Sequence, residues 1–321
     1  MESIKIINLE LTNNCNLECM FCDHKILKKK MPVKSLDGDL LTKIFSEIKK
    51  ELKGKKMYEL GLVGLGEPLL DKNLKSHLKI IDEYAHLFER ISINSNLVAL
   101  TKKKVILLIE SPINVFTFSV NASDRKTYLE MMGKDKFDKI VINLKTFLHL
   151  FKKKGREAKI GVQIIDSKKN HLRQLKSLLP ESEKLGVDFF IRDVYNKPVL
   201  YKSNGLVNIH NPKKKKRYPC WDIYTRLYVD VEGYYYVCAI GNDSYRERSS
   251  LCLGNVRDNS VFELFNGKHM QLAREMSEKG KVPFSECKTC VCWSLNPNNF
   301  TWSSKKLRWI KKKDPIRGYG L

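Results

Sequence analysis

Three cysteines, Cys15, Cys19 and Cys22, lie within eight consecutive positions of the segment LTNNCNLECMFCDH. Thiolates are soft ligands that favour iron–sulfur clusters, zinc or copper(I). A structural zinc site or an ordinary iron–sulfur cluster needs four protein ligands, whereas a disulfide needs two cysteines. Three thiols therefore predict a metal centre with a fourth position to fill. Either a later cysteine or His24 completes it, as in a zinc site, or a ligand from outside the protein does.

The other six cysteines fall in the last third of the chain and indicate a second thiol-bearing site. Cys220 and Cys238 flank two strand-like runs, RLYVDV and YYYVC, and Gly233 is placed to make the turn of a β-hairpin that brings these thiols together. Cys287 and Cys290 form a CxxC pair that can complete a four-thiolate iron–sulfur cluster. The same two pairs would also suit a zinc ribbon.

Two cysteines remain outside these sets. Cys252 directly precedes the segment LGNV, and Cys292 follows the CxxC pair by one residue. Each is expected to be a small buried apolar side chain. Cys292 is also an alternative to Cys290 as a cluster ligand.

Short motifs with polar residues or glycine follow the predicted second, third and fourth strands. They are GLGEPLLD at 64–71, NSN at 94–96 and SVNASD at 119–124. The first can be an ordinary tight turn before a helix, and Asn and Ser are common turn residues in the others. Their recurrence at successive strand ends instead indicates a ligand site, since parallel sheets bind ligands at the carboxyl ends of their strands.

Strands and helices alternate about six times over residues 1–193, which predicts a parallel sheet covered by helices. The predicted strands are IKIINLEL, LGLVGLG, RISIN, NVFTFSV, KIGVQII and VDFFIRD. Apolar stripes predict helices between them, for example over 39–52 and up to Gly155. Pro180 should kink or break the helix before the last strand.

The composition is that of a globular protein, with 321 residues of which 42% are apolar. No secretory signal and no bilayer-spanning apolar stretch is visible, and nine cysteines without a signal peptide favour metal ligands over disulfides. A cytoplasmic protein without a membrane partner is therefore expected.

The net charge of +23 comes from short, scattered lysine runs, and Lys outnumbers Arg in the chain. Both features argue against a nucleic-acid partner.

The CxxxCxxC spacing, with Phe21 before the last cysteine, resembles the signature of the radical S-adenosylmethionine (radical SAM) superfamily, which follows the first strand of a partial barrel. The resemblance spans residues 4–193. It implies a [4Fe-4S] cluster held by Cys15, Cys19 and Cys22, whose open iron binds the amino and carboxylate groups of SAM. One electron from the reduced cluster then cleaves SAM, and the 5′-deoxyadenosyl radical abstracts a hydrogen atom from the substrate.

The strand-end motifs are similar to the SAM-binding elements of this superfamily. GLGEP resembles the GGEP-type motif, with Leu65 at the usual first glycine of the pair. By this resemblance Gly64 and Gly66 let the backbone approach SAM, and Glu67 accepts a hydrogen bond from its ammonium group. The other cofactor-binding residues that the resemblance implies are Phe21, Asn94, Asn96, Ser119 and Asn121.

The C-terminal cysteines resemble the SPASM and twitch modules of radical SAM enzymes, which open with C-x9–15-G-x4-C. A full SPASM module has seven cysteines and two auxiliary clusters, whereas six cysteines occur here. The resemblance therefore implies the shortened module, with one auxiliary [4Fe-4S] cluster on four thiolates. These are Cys220, Cys238, Cys287 and Cys290.

The expected fold class is α/β, a partial (β/α)6 radical SAM barrel with a small C-terminal β-hairpin-plus-helix SPASM/twitch domain. The polar, proline- and lysine-rich stretch between the two parts is typical of a linker. The expected boundaries are 1–193 for the barrel, 194–219 for the linker, 220–295 for the auxiliary domain and 296–321 for a basic tail.

In related twitch dehydrogenases a substrate radical loses a proton and passes its electron to the auxiliary cluster. The expected function is therefore an oxidoreductase. A small substrate such as a sugar or cyclitol is favoured because the first barrel strand begins at residue 4, with no leader-peptide-binding domain in front. A base or proton acceptor is expected near the substrate, and the candidate catalytic residues in that region are Arg192 and Asp193, at the end of the sixth strand.

Several alternatives stay open. The first is an epimerase, in which Cys252 would be the catalytic hydrogen-atom donor. The second is an enzyme that modifies peptides, of the ribosomal-peptide or sulfatase-maturation type. The third is an RNA-modifying enzyme, and the fourth is a non-enzymatic zinc-binding or electron-carrier protein. The basic surface favours an acidic or nucleotide-linked small-molecule substrate, and an electron donor such as flavodoxin or ferredoxin is expected.

Overall fold

A computed structural model describes residues 4–167, 169, 171–192, 194–195, 209–210, 217–239, 249–288, 290, 293, 300–303, 306 and 308–311. The strands are β1 (Ile6–Leu9), β2 (Met57–Leu62), β3 (Phe88–Ser95), β4 (Val115–Asn121), β5 (Lys159–Ile165), β6 (Asp188–Arg192), β7 (Val194–Tyr195), β8 (Ile209–His210), β9 (Arg226–Val229), β10 (Tyr234–Tyr236), β11 (Cys252–Asn255), β12 (Phe300–Ser303) and β13 (Arg308–Lys311). The helices are α1 (His24–Leu27), α2 (Gly38–Leu52), α3 (Leu74–Glu83), α4 (Lys102–Glu110), α5 (Arg125–Met132), α6 (Phe137–Lys154), α7 (Leu172–Ser177), α8 (Asp222–Thr225), α9 (Val261–Asn266) and α10 (Lys268–Glu278).

A nine-stranded sheet organises the molecule in the order β11-β10-β9-β1-β2-β3-β4-β5-β6. Strands β1 to β6 are parallel and lie in chain order. Helical segments connect each of them to the next, as parallel pairing requires. The predicted α/β class, with six parallel strands, is confirmed.

The helices form where the sequence places apolar residues on one stripe. In α2 five apolar residues are buried under the sheet, and Asp37 caps its first turn by accepting a hydrogen bond from the Asp39 N–H at 3.1 Å. Helix α6 ends at Gly155, whose φ of 62° lies in the left-handed region, as predicted for a helix stop. Helix α7 ends before Pro180, which confirms the predicted break.

Several short elements were not predicted, and α1, α5 and β11 are among them. Helix α5 carries little apolar periodicity, but its ends have clear signals. Asp124 caps its start by accepting from the Thr127 N–H at 2.9 Å, and Gly133 ends it with a φ of 72°. Cap residues, rather than a hydrophobic stripe, were therefore the available signal for α5.

The C-terminal cysteine region continues the sheet of the N-terminal part. Strand β9 pairs with β1 in parallel, so that Ile6 lies beside Arg226 and Leu9 beside Val229. Strand β10 then returns antiparallel to β9, with Gly233 in the turn at a φ of 90°, as the predicted hairpin requires. Strand β11 adds a third antiparallel strand at the edge.

The two faces of the sheet differ in chemistry because successive side chains of a strand point to opposite sides. One face is apolar and packs in the main core under the helices. The other face carries buried polar side chains that alternate with the core residues, and we call it the polar face. It includes Asn8, Ser92, Thr117 and Gln163.

Two predicted segments are described only in part. Of the linker at 194–219 the structure describes 194–195, 209–210 and 217–219, and of the tail at 296–321 it describes 300–303, 306 and 308–311. The domain boundaries therefore stay a prediction. Among the described residues, no helix has the length and apolar character that crossing a membrane requires.

Candidate active site

The three N-terminal cysteines lie in the loop of residues 10–23, which follows the carboxyl end of β1 and which we call the cysteine loop. Each is half-buried. Burial raises the pKa of the Cys15 thiol, and the N–H groups of Leu17 and Asn16 oppose that rise by donating to its sulfur. Burial also raises the pKa of Cys19, and the charges of Cys22 and Cys15 add to that effect. The fold thus brings the three predicted ligands within electrostatic reach of one another.

The GLGEP segment after β2 packs directly against the cysteine loop. A Cβ atom on Gly66 would lie 1.9 Å from the carbonyl oxygen of Thr12, and one on Gly64 would lie 2.5 Å from Cγ of Glu10. Glu10, which is buried, accepts hydrogen bonds from the N–H groups of Leu65 and Gly66 at 2.7 and 3.2 Å. Both glycines therefore permit a close approach between two protein segments, a reason that the sequence did not reveal.

Glu67 joins three strand-end loops through hydrogen bonds. Its Oε2 accepts from the Asn96 N–H at 2.7 Å, and its Oε1 accepts from the Ser95 hydroxyl at 2.7 Å and the Leu69 N–H at 3.1 Å. Its own N–H donates to the Asn14 carbonyl of the cysteine loop at 2.7 Å. Burial raises the pKa of the Glu67 carboxyl, and the three donors oppose that rise. A carboxylate has about four acceptor positions, so one remains for a cationic ligand.

Asn96 connects the end of β3 to the cysteine loop. Its Nδ2 donates to Oδ1 of Asn16 at 2.9 Å and lies 3.8 Å from Sγ of Cys15. Its Oδ1 accepts from the Val98 N–H at 3.0 Å, which fixes the amide orientation. Two of the motif residues that the sequence singled out, Glu67 and Asn96, therefore lie together beside the cysteines.

The other predicted cofactor-binding residues lie around this centre with different partners. Asn94 is on β3, on the same face as its register partner Thr117 of β4. Ser119 accepts a hydrogen bond from Nε2 of Gln163 at 2.7 Å. Asn121 has a φ of 64°, and its Nδ2 lies 3.7 Å from Sδ of Met132. The remaining one, Phe21, packs half-buried against the main core.

Helix α5 supports the cysteine loop from the side of β4. The N–H of Met20 donates to the Met131 carbonyl at 2.9 Å, and the N–H of Glu18 donates to the Met132 carbonyl at 3.1 Å. A Cβ atom on Gly133 would lie 2.8 Å from the Glu18 carbonyl oxygen, so this contact is also close. Three neighbouring parts of the fold, after β2, β3 and β4, thus hold the loop in place.

The four predicted auxiliary ligands, Cys220, Cys238, Cys287 and Cys290, are also half-buried. Burial raises the pKa of Cys220, and the charges of Asp222, Cys290 and Cys238 add to the rise. Burial raises the pKa of Cys287 to about 11, with a further contribution from Cys290. The four thiols therefore lie near one another, although 48 residues lie between Cys238 and Cys287.

Two side chains hold the Cys287 segment in place. Nη1 of Arg217 donates to the Cys287 carbonyl at 2.7 Å, and the Arg217 guanidinium lies 5.5 Å from the Trp293 ring centre. Glu286 accepts hydrogen bonds from the Ser249 hydroxyl at 2.9 Å and the Ser250 N–H at 3.0 Å. These contacts tie the CxxC segment to the residues before β9 and β11.

The two predicted catalytic residues that the structure describes, Arg192 and Cys252, lie on the two edge strands of the sheet. Arg192 is exposed at the end of β6, where its carbonyl accepts from the Asp166 N–H at 2.8 Å. Cys252 begins β11 at the opposite edge of the sheet and pairs with Tyr236. Asp193, and Cys292 as the alternative ligand, lie outside the described residues.

His24, the candidate fourth ligand of a zinc site, is buried within α1. Its Nε2 lies 2.9 Å from the carbonyl oxygen of Asn13 and must donate to it, so this nitrogen is not a metal ligand. Burial lowers the pKa of His24. Among the described residues, no three His, Cys, Asp or Glu side chains converge closely enough to hold a single metal ion.

The donor sets fit iron–sulfur clusters in their chemistry. Three thiols in the cysteine loop leave one position of a four-iron cluster for an outside ligand, and Glu67 offers an acceptor nearby. Four thiols near β9 and β10 can ligate a second cluster completely. Sequence reasoning missed Glu10 and Tyr128, the latter on α5. Neither a single Glu after an apolar strand nor an isolated Tyr carries a local signal of its partners.

Comparison with protein families gave two matches. Residues 9–162 match the radical SAM superfamily, and residues 220–291 match SPASM, an iron–sulfur cluster-binding domain. No curated protein matches the sequence. The two matches cover the two cysteine groups and confirm the predicted cofactors: a SAM-binding [4Fe-4S] cluster, SAM and an auxiliary cluster.

Several solved structures share the fold. BtrN in complex with AdoMet and 2-DOIA is 18% identical, with 90% of this chain and 94% of BtrN covered at a TM-score of 0.54. Streptococcus suis SuiB bound to precursor peptide SuiA is 15% identical, with 90% and 70% covered at 0.63. The anSMEcpe structure with bound AdoMet is 16% identical, with 85% and 83% covered at 0.62. At these identities the likeness is one of fold.

Proposed function

We propose that this chain, a radical SAM enzyme with a C-terminal SPASM domain, is an oxidoreductase that dehydrogenates a small polar molecule such as a sugar or cyclitol. A cytoplasmic location and a flavodoxin or ferredoxin as electron donor are part of the proposal. The observation that carries it is the position of the two cysteine groups at opposite ends of paired strands.

The topology separates the two groups along β1. The cysteine loop follows the carboxyl end of β1, which is parallel to β9. Cys220 precedes β9, and Cys238 follows the antiparallel strand β10, so both lie toward the amino end of β1. A strand advances about 3.3 Å per residue and β1 has four residues, so we place the small molecule alongside β1, between the two groups. This arrangement suits removal of a hydrogen atom at one end and of an electron at the other.

The polar face supports a hydroxyl-rich substrate. Asn8 of β1 lies beside Tyr228 of β9 in the register of these strands. Farther along the sheet, the Ser92 hydroxyl donates to Oε1 of Glu59 at 2.7 Å, and Arg90 lies 3.7 Å from the same carboxylate. Buried groups of this kind must be hydrogen-bonded, and a polyol offers many such partners. A polyol can join such a hydrogen-bond network, whereas an apolar substrate cannot.

The chain's own residues have distinct roles in this proposal. Cys15, Cys19 and Cys22 would hold the SAM-binding cluster, and the four later cysteines would hold the auxiliary one. When bound, these groups supply the 5′-deoxyadenosyl radical that takes a hydrogen atom and an acceptor for one electron. The substrate thereby loses a hydrogen atom, an electron and a proton, which gives a two-electron oxidation. Arg192 and Asp193 remain the residues that we propose for the region of the base, or proton acceptor, near the substrate.

Peptide modification is the second candidate. The observation that favours it is the fold shared with SuiB, which binds the precursor peptide SuiA. BtrN, which binds 2-DOIA, shares a larger part of its own length with this chain. Both substrates therefore belong in the same assay.

The test is anaerobic reconstitution of the full chain, followed by reduction and incubation with SAM and a substrate panel. Two clusters predict about eight irons per chain. We expect 5′-deoxyadenosine formation, and a product lighter by two hydrogen atoms from 2-DOIA or another cyclitol or sugar. A peptide product, or a substrate that gains solvent deuterium at unchanged oxidation level, would refute the proposed oxidation.

Three cysteine variants separate the roles. Cys15→Ala should abolish 5′-deoxyadenosine formation, since a ligand of the SAM-binding cluster is lost. Cys238→Ala should retain SAM cleavage and lose the oxidised product. Cys252→Ala is the matched control and should retain both, whereas loss of product deuteration in this variant would favour an epimerase.

A further inference from the structure

Tyr128 has a buried hydroxyl that the fold leaves without a protein partner. Its side chain is fully buried on α5, and its oxygen has no hydrogen-bond partner among the described residues. Buried polar groups in native proteins are almost always satisfied, so an exception points to a partner that is not a protein group. The ring packs against Phe137 at a centroid distance of 5.8 Å, which restricts the direction of the hydroxyl.

The position of Tyr128 indicates which partner this is. It lies one helical turn before Met131 and Met132, whose carbonyls accept hydrogen bonds from the cysteine loop. Burial raises the pKa of Tyr128, and the charges of Cys19 and Cys15, in that order, add most to the rise. The hydroxyl therefore lies within electrostatic reach of the Cys19 and Cys15 sulfurs.

Cys15 already has its own donors. The N–H groups of Leu17 and Asn16 donate to its sulfur, and Nδ2 of Asn96 approaches it at 3.8 Å. For Cys19, the backbone donor that contributes to its pKa is its own N–H. Among the residues that the structure describes, no side chain donates a hydrogen bond to Cys19, so a cluster held here would have an equivalent donor on that side only if Tyr128 supplied it.

We propose that the Tyr128 hydroxyl donates a hydrogen bond to the sulfur of Cys19 in the cluster-loaded protein and raises the reduction potential of the SAM-binding cluster. Reduction adds negative charge to the cluster sulfurs, so a donor stabilises the reduced form more than the oxidised form. Tyr128 acts through the cluster and contacts no substrate. The inference rests on the SAM-binding cluster alone and is independent of the proposed oxidation.

The test is the midpoint potential of the cluster in the reconstituted full chain, measured by electron paramagnetic resonance during redox titration. The signal of the SAM-binding cluster is the one that changes when SAM is added. For Tyr128→Phe we expect about a tenfold lower ratio of reduced to oxidised cluster at a fixed potential, which is about 59 mV for one electron. An unchanged midpoint at equal iron content would overturn the proposal.

A matched control removes a hydroxyl elsewhere. Tyr84 shares a hydrogen bond with Ser46 at 3.0 Å on the surface, and Tyr84→Phe should leave the midpoint unchanged. Replacing all tyrosines with 3-fluorotyrosine, a stronger donor of nearly the same size, should raise the midpoint of the wild-type protein. If Tyr128→Phe does not fold, the fluorotyrosine experiment decides, because an unchanged midpoint potential there would also refute the hydrogen bond. Iron analysis reports loss of the cluster itself separately.

Discussion

Replacing Gly66 with alanine tests whether contact between the GLGEP segment and the cysteine loop organises the site. The new Cβ atom would lie 1.9 Å from the Thr12 carbonyl oxygen, 2.7 Å from the Thr12 carbonyl carbon and 2.9 Å from that of Asn13. All three atoms belong to the backbone, so no flexible side chain can move aside. The φ of Gly66 lies outside the left-handed region, so the expected cost is steric alone.

The size of the effect follows from the displacement. Real Cβ atoms keep at least 3.0 Å from such neighbours, so the two segments must separate by at least 1.1 Å. Overpacking of this kind lowers the free energy of unfolding by about 1–3 kcal/mol. A misplacement of about 1 Å near reacting groups costs roughly a hundredfold in rate. The hydrogen bond from the Glu67 N–H to the Asn14 carbonyl, adjacent in both segments, should be lost as well.

The assay combines urea unfolding with the rate of 5′-deoxyadenosine formation at equal iron content. Gly38→Ala is the matched control, because its new Cβ atom would meet only Cδ1 of Ile80 at 3.4 Å and would lie in the first turn of α2. That variant should be neutral or stabilised by up to about 1 kcal/mol. If Gly66→Ala retains both wild-type stability and wild-type SAM cleavage, the contact does not organise the site.

Three further changes test neighbouring contacts by urea unfolding. Glu67→Gln should lower the free energy of unfolding by about 1–3 kcal/mol, because the NH2 group of the new glutamine would face a donor such as the Asn96 N–H. Stability equal to that of wild type would contradict this. Asp124→Ala should cost about 1 kcal/mol by removing the cap of α5. Burial raises the pKa of Asp124, but hydrogen bonds from Thr127 outweigh it and lower that pKa. The Asp124 cap therefore contributes to the free energy of unfolding above a pH of about 3.9, and this contribution is lost as the pH falls through the lowered pKa. A stability difference between Asp124→Ala and wild type that does not change with pH would refute this. Gly233→Ala should cost about 1–2 kcal/mol at its φ of 90°, and an unchanged midpoint would argue against strain there.

Local patterns predicted the parallel strands well because each strand and its following helix carry their own periodicity. The run KIGVQII, for example, coincides with β5, and the stripe before Gly155 belongs to α6. The pairing of β9 with β1 was beyond such reasoning, since about 220 residues separate the strands and no local pattern encodes which strands pair. That pairing decides where the auxiliary cysteines lie relative to the cysteine loop.

For the site, spacing predicted residue types but not their contacts. The sequence singled out Glu67 and Asn96 as separate ligand-binding residues, and the structure joins them through one hydrogen bond of 2.7 Å. Nothing in the sequence indicated that Glu10 accepts hydrogen bonds from Leu65 and Gly66, because a single Glu after a strand has many possible partners. Such contacts depend on distances between loops, and those depend on the assembled sheet.

Protein contacts from three neighbouring elements position the cysteine loop. Glu67 contacts it from the end of β2, Asn96 from the end of β3, and Met131 from the end of α5. The Glu67 and Met131 contacts are backbone hydrogen bonds, and the Asn96 contact is made by its side-chain amide. Preorganised ligands lose less conformational freedom when a cluster forms. The polar motifs at successive strand ends therefore have a structural role: Glu67 and Asn96, two of the residues predicted to bind SAM, also hold the cysteine loop.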